Sequence, residues 1–218
     1  GGSDVSRRAA YRLGDIRFSQ RELRDFALAW LALGVAFTFF LNPQLIQQIQ
    51  FGVVRTSAIL EAFTLSMITV GTGFLLHELA HKVAAIRFGQ TAEFRADYGM
   101  LGLAVVAGLA GFLFAAPGAV HHRGRITKRQ NGLIALAGPL VNVALAVIFA
   151  IPALFATGFV GAVGSLGLII NVLLAGFNMM HFGPLDGRTV LDWSVTVFAV
   201  VCVPTAGIGV WLLLGGLF

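Results

Sequence analysis

Between Ala58 and Leu76 the only ionisable residue is Glu61, and this apolar run then leads straight into His77-Glu78-Leu79-Ala80-His81. A run of that length fits either the interior of a large protein or a lipid bilayer. Several more such runs follow. Apolar residues make up 57% of the 218 and charged residues 11%, far below the usual charged share of about 25%. That leaves too little polar surface to enclose the runs in water. Backbone groups facing lipid must bond within their own segment, which favours helices. The expected fold is therefore an all-α polytopic membrane protein. It has about five to six transmembrane helices and a small membrane-associated β-element or re-entrant segment.

The five-residue motif carries chemistry. On a helix, His77 and His81 are one turn apart and share a face, so both imidazoles can bind one Zn²⁺. Glu78 is then placed as a general base toward water at the metal. Ionisable groups at lipid depth are expensive and mark function. A pair of hydrogen-bonded core histidines would leave the buried Glu78 between them unexplained. A catalytic zinc takes three protein ligands and keeps one position open. Asp186 is the best third candidate, being the only carboxylate between Asp97 and Asp192. It lies in a Gly/Pro break, His181 to Arg188, that would be costly in lipid unless it faced a polar cavity. The competing reading is a turn Asp ahead of Gly187, and spacing alone leaves both open.

Six of the fifteen basic residues, Arg7, Arg8, Arg12, Arg17, Arg21 and Arg24, precede the first apolar span. This bias reads as a cytoplasmic N-terminus in contact with anionic headgroups. A nucleic-acid partner is excluded for want of a basic groove with interleaved aromatics. Gly1-Gly2-Ser3 reads as an added remnant. No cleavable signal peptide is visible, and the apolar end at Phe218 suggests that the natural chain continues. The single cysteine, Cys202, permits no intrachain disulfide and reads as a small buried hydrophobe.

Residues 4–18 are expected to be disordered or a short interfacial helix. Ser19 and Glu22 form a capping-box pattern ahead of a helix at about Gln20 to Leu41, which Asn42-Pro43 stops. Residues 44–56 read as a polar loop. The second span runs from near Ser57 to a C-cap at Gly89. His81 lies six residues before Arg87, roughly 9 Å along a helix, which puts the motif inside the membrane near its Arg-rich face. Residues 90–96 alternate as a strand does. Tyr98 to Val120 is apolar, yet Lys82, Arg87 and Arg95 precede it and Arg123, Arg125, Lys128 and Arg129 follow it. Keeping both clusters on one side requires an even number of crossings. A re-entrant half-helix with a returning strand near Pro117-Gly118-Ala119-Val120 satisfies this. Further spans are expected at about Asn131 to Phe155 and Val160 to Met180. Residues 189–218 read as one kinked helix broken at Pro204.

His77-Glu78-x-x-His81, Gly138-Pro139-x-x-Asn142 and Asn178-x₅-Pro184-Leu185-Asp186-Gly187, in that order on apolar segments, resemble the site-2 protease family of intramembrane zinc metalloproteases, in its prokaryotic type without a PDZ domain. The likeness covers roughly residues 70–190. It implies one Zn²⁺ per chain held by His77, His81 and Asp186, with Glu78 as general base and then acid. It implies further that Asn178 and Asn142 position substrate or stabilise an oxyanion, a task suited to a buried amide. Interhelical hydrogen bonding is the other reading of both asparagines. The family usually carries Pro where His181 stands, and this His reads as interfacial, as do His121 and His122. Residues 1–18 are then a basic N-terminal segment and 19–218 a single metalloprotease domain with its core at about 57–190.

The activity so implied is hydrolysis of peptide bonds within or near transmembrane helices, in a cell membrane and with the active site toward the cytoplasm. The expected partners are single-pass membrane substrates and lipid. A membrane metal transporter would need more than one metal site, and an inactive scaffold would not need Glu78; these are the two rivals. The sequence does not set the oligomeric state.

Overall fold

The structure, a computed structural model, describes residues 9–112 and 118–215. Among the described residues, five helices are long and apolar enough to cross a membrane, and the chain is a predominantly helical, multi-pass membrane protein. The described residues start with a hairpin over 9–19, in place of the disordered or helical segment expected from sequence over 4–18; residues 4–8 lie outside the described residues. β1 (Ala9–Leu13) pairs antiparallel with β2 (Ile16–Ser19). Gly14, at φ 59°, supplies the left-handed turn that a two-residue loop needs.

α1 (Gln20–Leu41) starts where Ser19 Oγ accepts from the Glu22 amide at 3.1 Å. Only half of the expected capping box forms, because the Glu22 carboxylate is taken 2.5 Å away by Lys82. After Asn42, Pro43 sits at φ −60° and pre-sets a helix start. The expected polar loop is therefore α2 (Gln44–Gln50), which buries Leu45. α3 (Thr56–Ser66), a π-helical turn (Met67–Gly71) and α4 (Thr72–Arg87) form one continuous apolar rod of 32 residues. Gly89 ends it at φ 76°, its amide bonded to Ile86 O at 2.9 Å.

β3 (Thr91–Ala96) and β4 (Gly118–Arg123) pair antiparallel, with α5 (Tyr98–Leu109) between them. α5 has 12 residues, about 18 Å of helix against a hydrocarbon core of about 30 Å. The ladder sets Thr91 beside Arg123, so the segment returns to where it started, as the charge pattern required. Pro117 lies outside the described residues. Phe94 on β3 is fully buried, stacked on Phe26 of α1 at 4.3 Å and edge-on to Phe74 of α4 at 6.0 Å.

α6 (Lys128–Phe155) and α7 (Gly158–Asn178) pack as an antiparallel pair. A Cβ on Gly164 would stand 2.2 Å from Ala153 N, and one on Gly167 2.4 Å from the Phe149 ring. Small residues let these backbones approach. The single kinked helix expected after 189 is instead α8 (Asp186–Trp193) and α9 (Val195–Leu213). The break falls at Ser194, which is extended and accepts the Val197 amide at 3.3 Å, while Pro204 stays inside α9. A serine that satisfies an orphan amide is a favoured helix start.

Candidate metal centre

His77 and His81 face one side of α4, one turn apart, with their Nε2 atoms 3.0 Å from each other. The Asp186 Oδ2 atom, at the start of α8, comes within 3.2 Å of the first and 3.3 Å of the second. The three residues named from sequence thus meet in one cluster. Gly187 makes this possible: a Cβ there would lie 2.0 Å from Met179 O, so only glycine lets α8 begin against the end of α7.

The imidazoles are oriented from behind. Asn142 donates its amide hydrogens to Gly73 O at 3.1 Å and to Asn171 Oδ1 at 2.9 Å. Its oxygen therefore faces His77 Nδ1, 2.6 Å away, and accepts from it. His81 Nδ1 donates to Ile134 O at 2.8 Å, and a carbonyl can only accept. With both Nδ1 atoms protonated, both Nε2 atoms offer lone pairs toward the Asp186 carboxylate. Three electron-rich atoms this close repel one another unless a cation joins them. Tetrahedral zinc with nitrogen and oxygen ligands at about 2.0–2.1 Å sets those ligands about 3.3 Å apart, close to the 3.0, 3.2 and 3.3 Å seen here. Space is kept as well, since a Cβ on Gly138 would stand 2.5 Å from each Nε2. The donor set and its spacing fit zinc.

The Asp186 carboxylate is the one anionic member of the cluster and offers Oδ2 beside the two imidazole lone pairs. Glu78 is buried beside the cluster, 8% exposed. A cavity of 380 Å³ opens from the metal residues and Glu78 toward Val120, His122, Asn178 and Pro184.

The strand wall of this cavity has a defined polarity. The Phe94 and Ala96 amides of β3 point away from β4, to Glu22 and Asp25 on α1. By alternation, β3 bonds β4 through Thr91, Glu93 and Arg95, whose partners are Arg123, His121 and Ala119. The backbone groups of Gly118, Val120 and His122 therefore form the outer edge of β4, and all three residues line the cavity. Val120 and Glu78 line the same cavity. Burial at the cavity wall lowers the His122 imidazole below the usual histidine range.

The two asparagines differ. Asn142 is fully buried behind His77, with its oxygen and both amide hydrogens engaged. Asn178 lines the cavity and spends one hydrogen on Leu174 O. His181 is exposed, edge-on to Phe198, and stands outside the metal cluster. Sequence reading missed Asn171, which is fully buried and joins Asn142 to Gly167 O. The available signal was an amide inside an otherwise apolar span.

A protein of Methanocaldococcus jannaschii that carries the name "Putative zinc metalloprotease" is 41% identical over 195 residues, which cover 88% of this chain and 94% of that one. A Bacillus subtilis protein with the same name is 31% identical over 150 residues, 58% of this chain and 67% of its own length. No family model matches the chain. No solved structure matches it with significance.

Proposed function

This chain belongs to the zinc metalloprotease family of its archaeal and bacterial relatives, and from that premise we propose an intramembrane protease of the site-2 type, cleaving peptide bonds within or near transmembrane helices of single-pass membrane proteins. The carrying observation is one cavity that holds a three-ligand metal cluster, a buried carboxylate beside it and an open strand edge. His77, His81 and Asp186 hold the ion. Zinc, when bound, lowers the pKa of water toward about 7 and polarises the scissile carbonyl.

Glu78 takes the proton of the attacking water and passes it to the leaving amine as the C–N bond breaks. Asn142 keeps His77 in the tautomer that presents Nε2. That leaves Asn178 as the amide with a hydrogen to offer a developing oxyanion. A helical substrate must unwind before its amides can be attacked, and pairing with the outer edge of β4 would hold it extended. The site sits toward the basic face, taken as cytoplasmic, where water is near.

The test compares wild type with Glu78→Gln on a panel of single-pass membrane substrates, with zinc content measured in both. Zinc in both and cleavage by wild type alone is the expected result. Zinc in both with no cleavage in either sinks the reading for that panel and turns attention to metal flux in liposomes, the transporter's signature.

A further inference from the structure

Among the described residues, three ionisable side chains away from the metal cluster are almost wholly buried: Lys82 is 0% exposed, and Glu22 and Asp25 are each 1% exposed. Buried charge is costly, and well-packed apolar residues would hold the same helices together as firmly. What the charges touch therefore matters. Glu22 and Asp25 lie three residues apart on α1 and share a face. Glu22 Oε1 accepts the Phe94 amide at 2.8 Å, and Asp25 Oδ2 accepts the Ala96 amide at 3.2 Å. The other Asp25 oxygen accepts from the Tyr98 hydroxyl. The two carboxylates thus stand where a further strand beside β3 would run.

Lys82 fastens this arrangement to the catalytic rod. It follows His81 directly in sequence. Its Nζ donates to Glu22 Oε2 at 2.5 Å and to Arg17 O at 2.6 Å, and it lies over the Phe18 ring at 4.0 Å. A chain of contacts then runs from the metal-bearing helix through Lys82 and Glu22 into β3, and across the ladder to the outer edge of β4, which lines the same cavity as Glu78.

We propose that Glu22, Asp25 and Lys82 are positioning residues for substrate: the two carboxylates close the outer edge of β3, so an extended segment can join this two-stranded sheet only at β4, and Lys82 fixes that open edge at a set distance from Glu78. The substrate half of this statement rests on the proteolytic reading above. Closing one edge explains why carboxylates stand here and not leucines. A charge pair that merely glued helices would have no reason to spend its oxygens on two strand amides.

The test uses the full chain in nanodiscs and two double variants, Glu22→Leu with Lys82→Met and Glu22→Gln with Lys82→Met. Both remove the Glu22–Lys82 ion pair as a unit, so neither strands one of its two charges, and only the Gln variant keeps an acceptor for the Phe94 amide. Hydrogen exchange over 91–96 and 118–123 is expected to be about tenfold faster in the Leu variant than in the Gln variant, the size set by unpairing one buried amide. Exchange in α6 and α7 and zinc content should match between the two. KM for a single-pass substrate should be about tenfold higher in the Leu variant with kcat little changed. Equal hairpin exchange in the two variants overturns the proposal, as does acceleration spread across α6 and α7, or a KM rise shared by both. A wild-type chain that cleaves nothing defeats the proteolytic reading instead, and the exchange arm tells that failure apart from failure of the clamp.

Discussion

An alanine at position 138 would place its Cβ 2.5 Å from the Nε2 atoms of both His77 and His81, inside the volume a metal takes. Helix α6 tolerates alanine well, so Gly138→Ala is expected to abolish metal binding while leaving helix content intact. Metal analysis beside far-ultraviolet circular dichroism checks both halves. One layer out, Asn171 holds Asn142, and Asn142 holds the His77 ring. Loss of an outer partner of a metal ligand typically costs about 10–100-fold in affinity; Asn171 acts one step further out, through Asn142, so Asn171→Leu should weaken zinc by about tenfold, the low end of that range, in a chelator competition. An unchanged affinity would mean that Asn142 needs no support from α7. These residues were legible to different degrees. The spacing of His77 and His81 is local to one helix turn and needs no fold to interpret. Asn142 stood out beside Gly138-Pro139, yet its task was not readable, because Gly73 and His77 lie far from it in sequence. Asn171 offered only an amide in an apolar run, and nothing local separates an orienting amide from an idle one.

At the scale of elements, backbone chemistry decided what hydropathy could not. The π-helical turn at Met67–Gly71 inserts an extra residue's rotation just ahead of the metal helix. Its Met67 carbonyl takes the Trp30 indole at 3.0 Å and the Thr72 hydroxyl at 3.1 Å, a side-chain repair that apolar periodicity does not register. The hairpin of β1 and β2 was overlooked because arginines hide its two-residue period. The β3 strand, by contrast, was readable from Thr91 to Ala96, where polar and apolar residues alternate without interruption. The direction of each amide in β4 gives the element-level prediction. The Val120 amide points out of the ladder and the His121 amide points into it. Val120→Pro should therefore spare the sheet and zinc but impair cleavage, since it removes a donor from the edge offered to substrate. His121→Pro should instead open the hairpin itself, visible as faster amide exchange in Thr91–Ala96. If both variants exchange and cleave alike, substrate does not use that edge.

The whole molecule is ordered by where its basic residues end up. α5 is too short to cross, and the antiparallel ladder returns Arg123 to the side of Thr91. The clusters around Arg87 and Arg129 are thereby left together, with the N-terminal arginines and the metal cluster on the same face. α1, the rod ending in α4, α6, α7 and α9 then alternate in direction, so α2 and the α6–α7 turn share the opposite face. This follows from charge bias and crossing number, and a labelling experiment reads it directly. In a Cys202→Ala background, single cysteines at Asp15 and Arg125, both exposed, should react with a membrane-impermeant maleimide from one side of sealed vesicles. Cysteines at Gln50 and Thr157, also exposed, should react only from the other. If Arg125 labels with Gln50 and not with Asp15, the segment from Tyr98 to Arg123 crosses the membrane. The ladder that sets Val120 in the same cavity as Glu78 could not then exist, and the proposed route of substrate to the metal would fall with it.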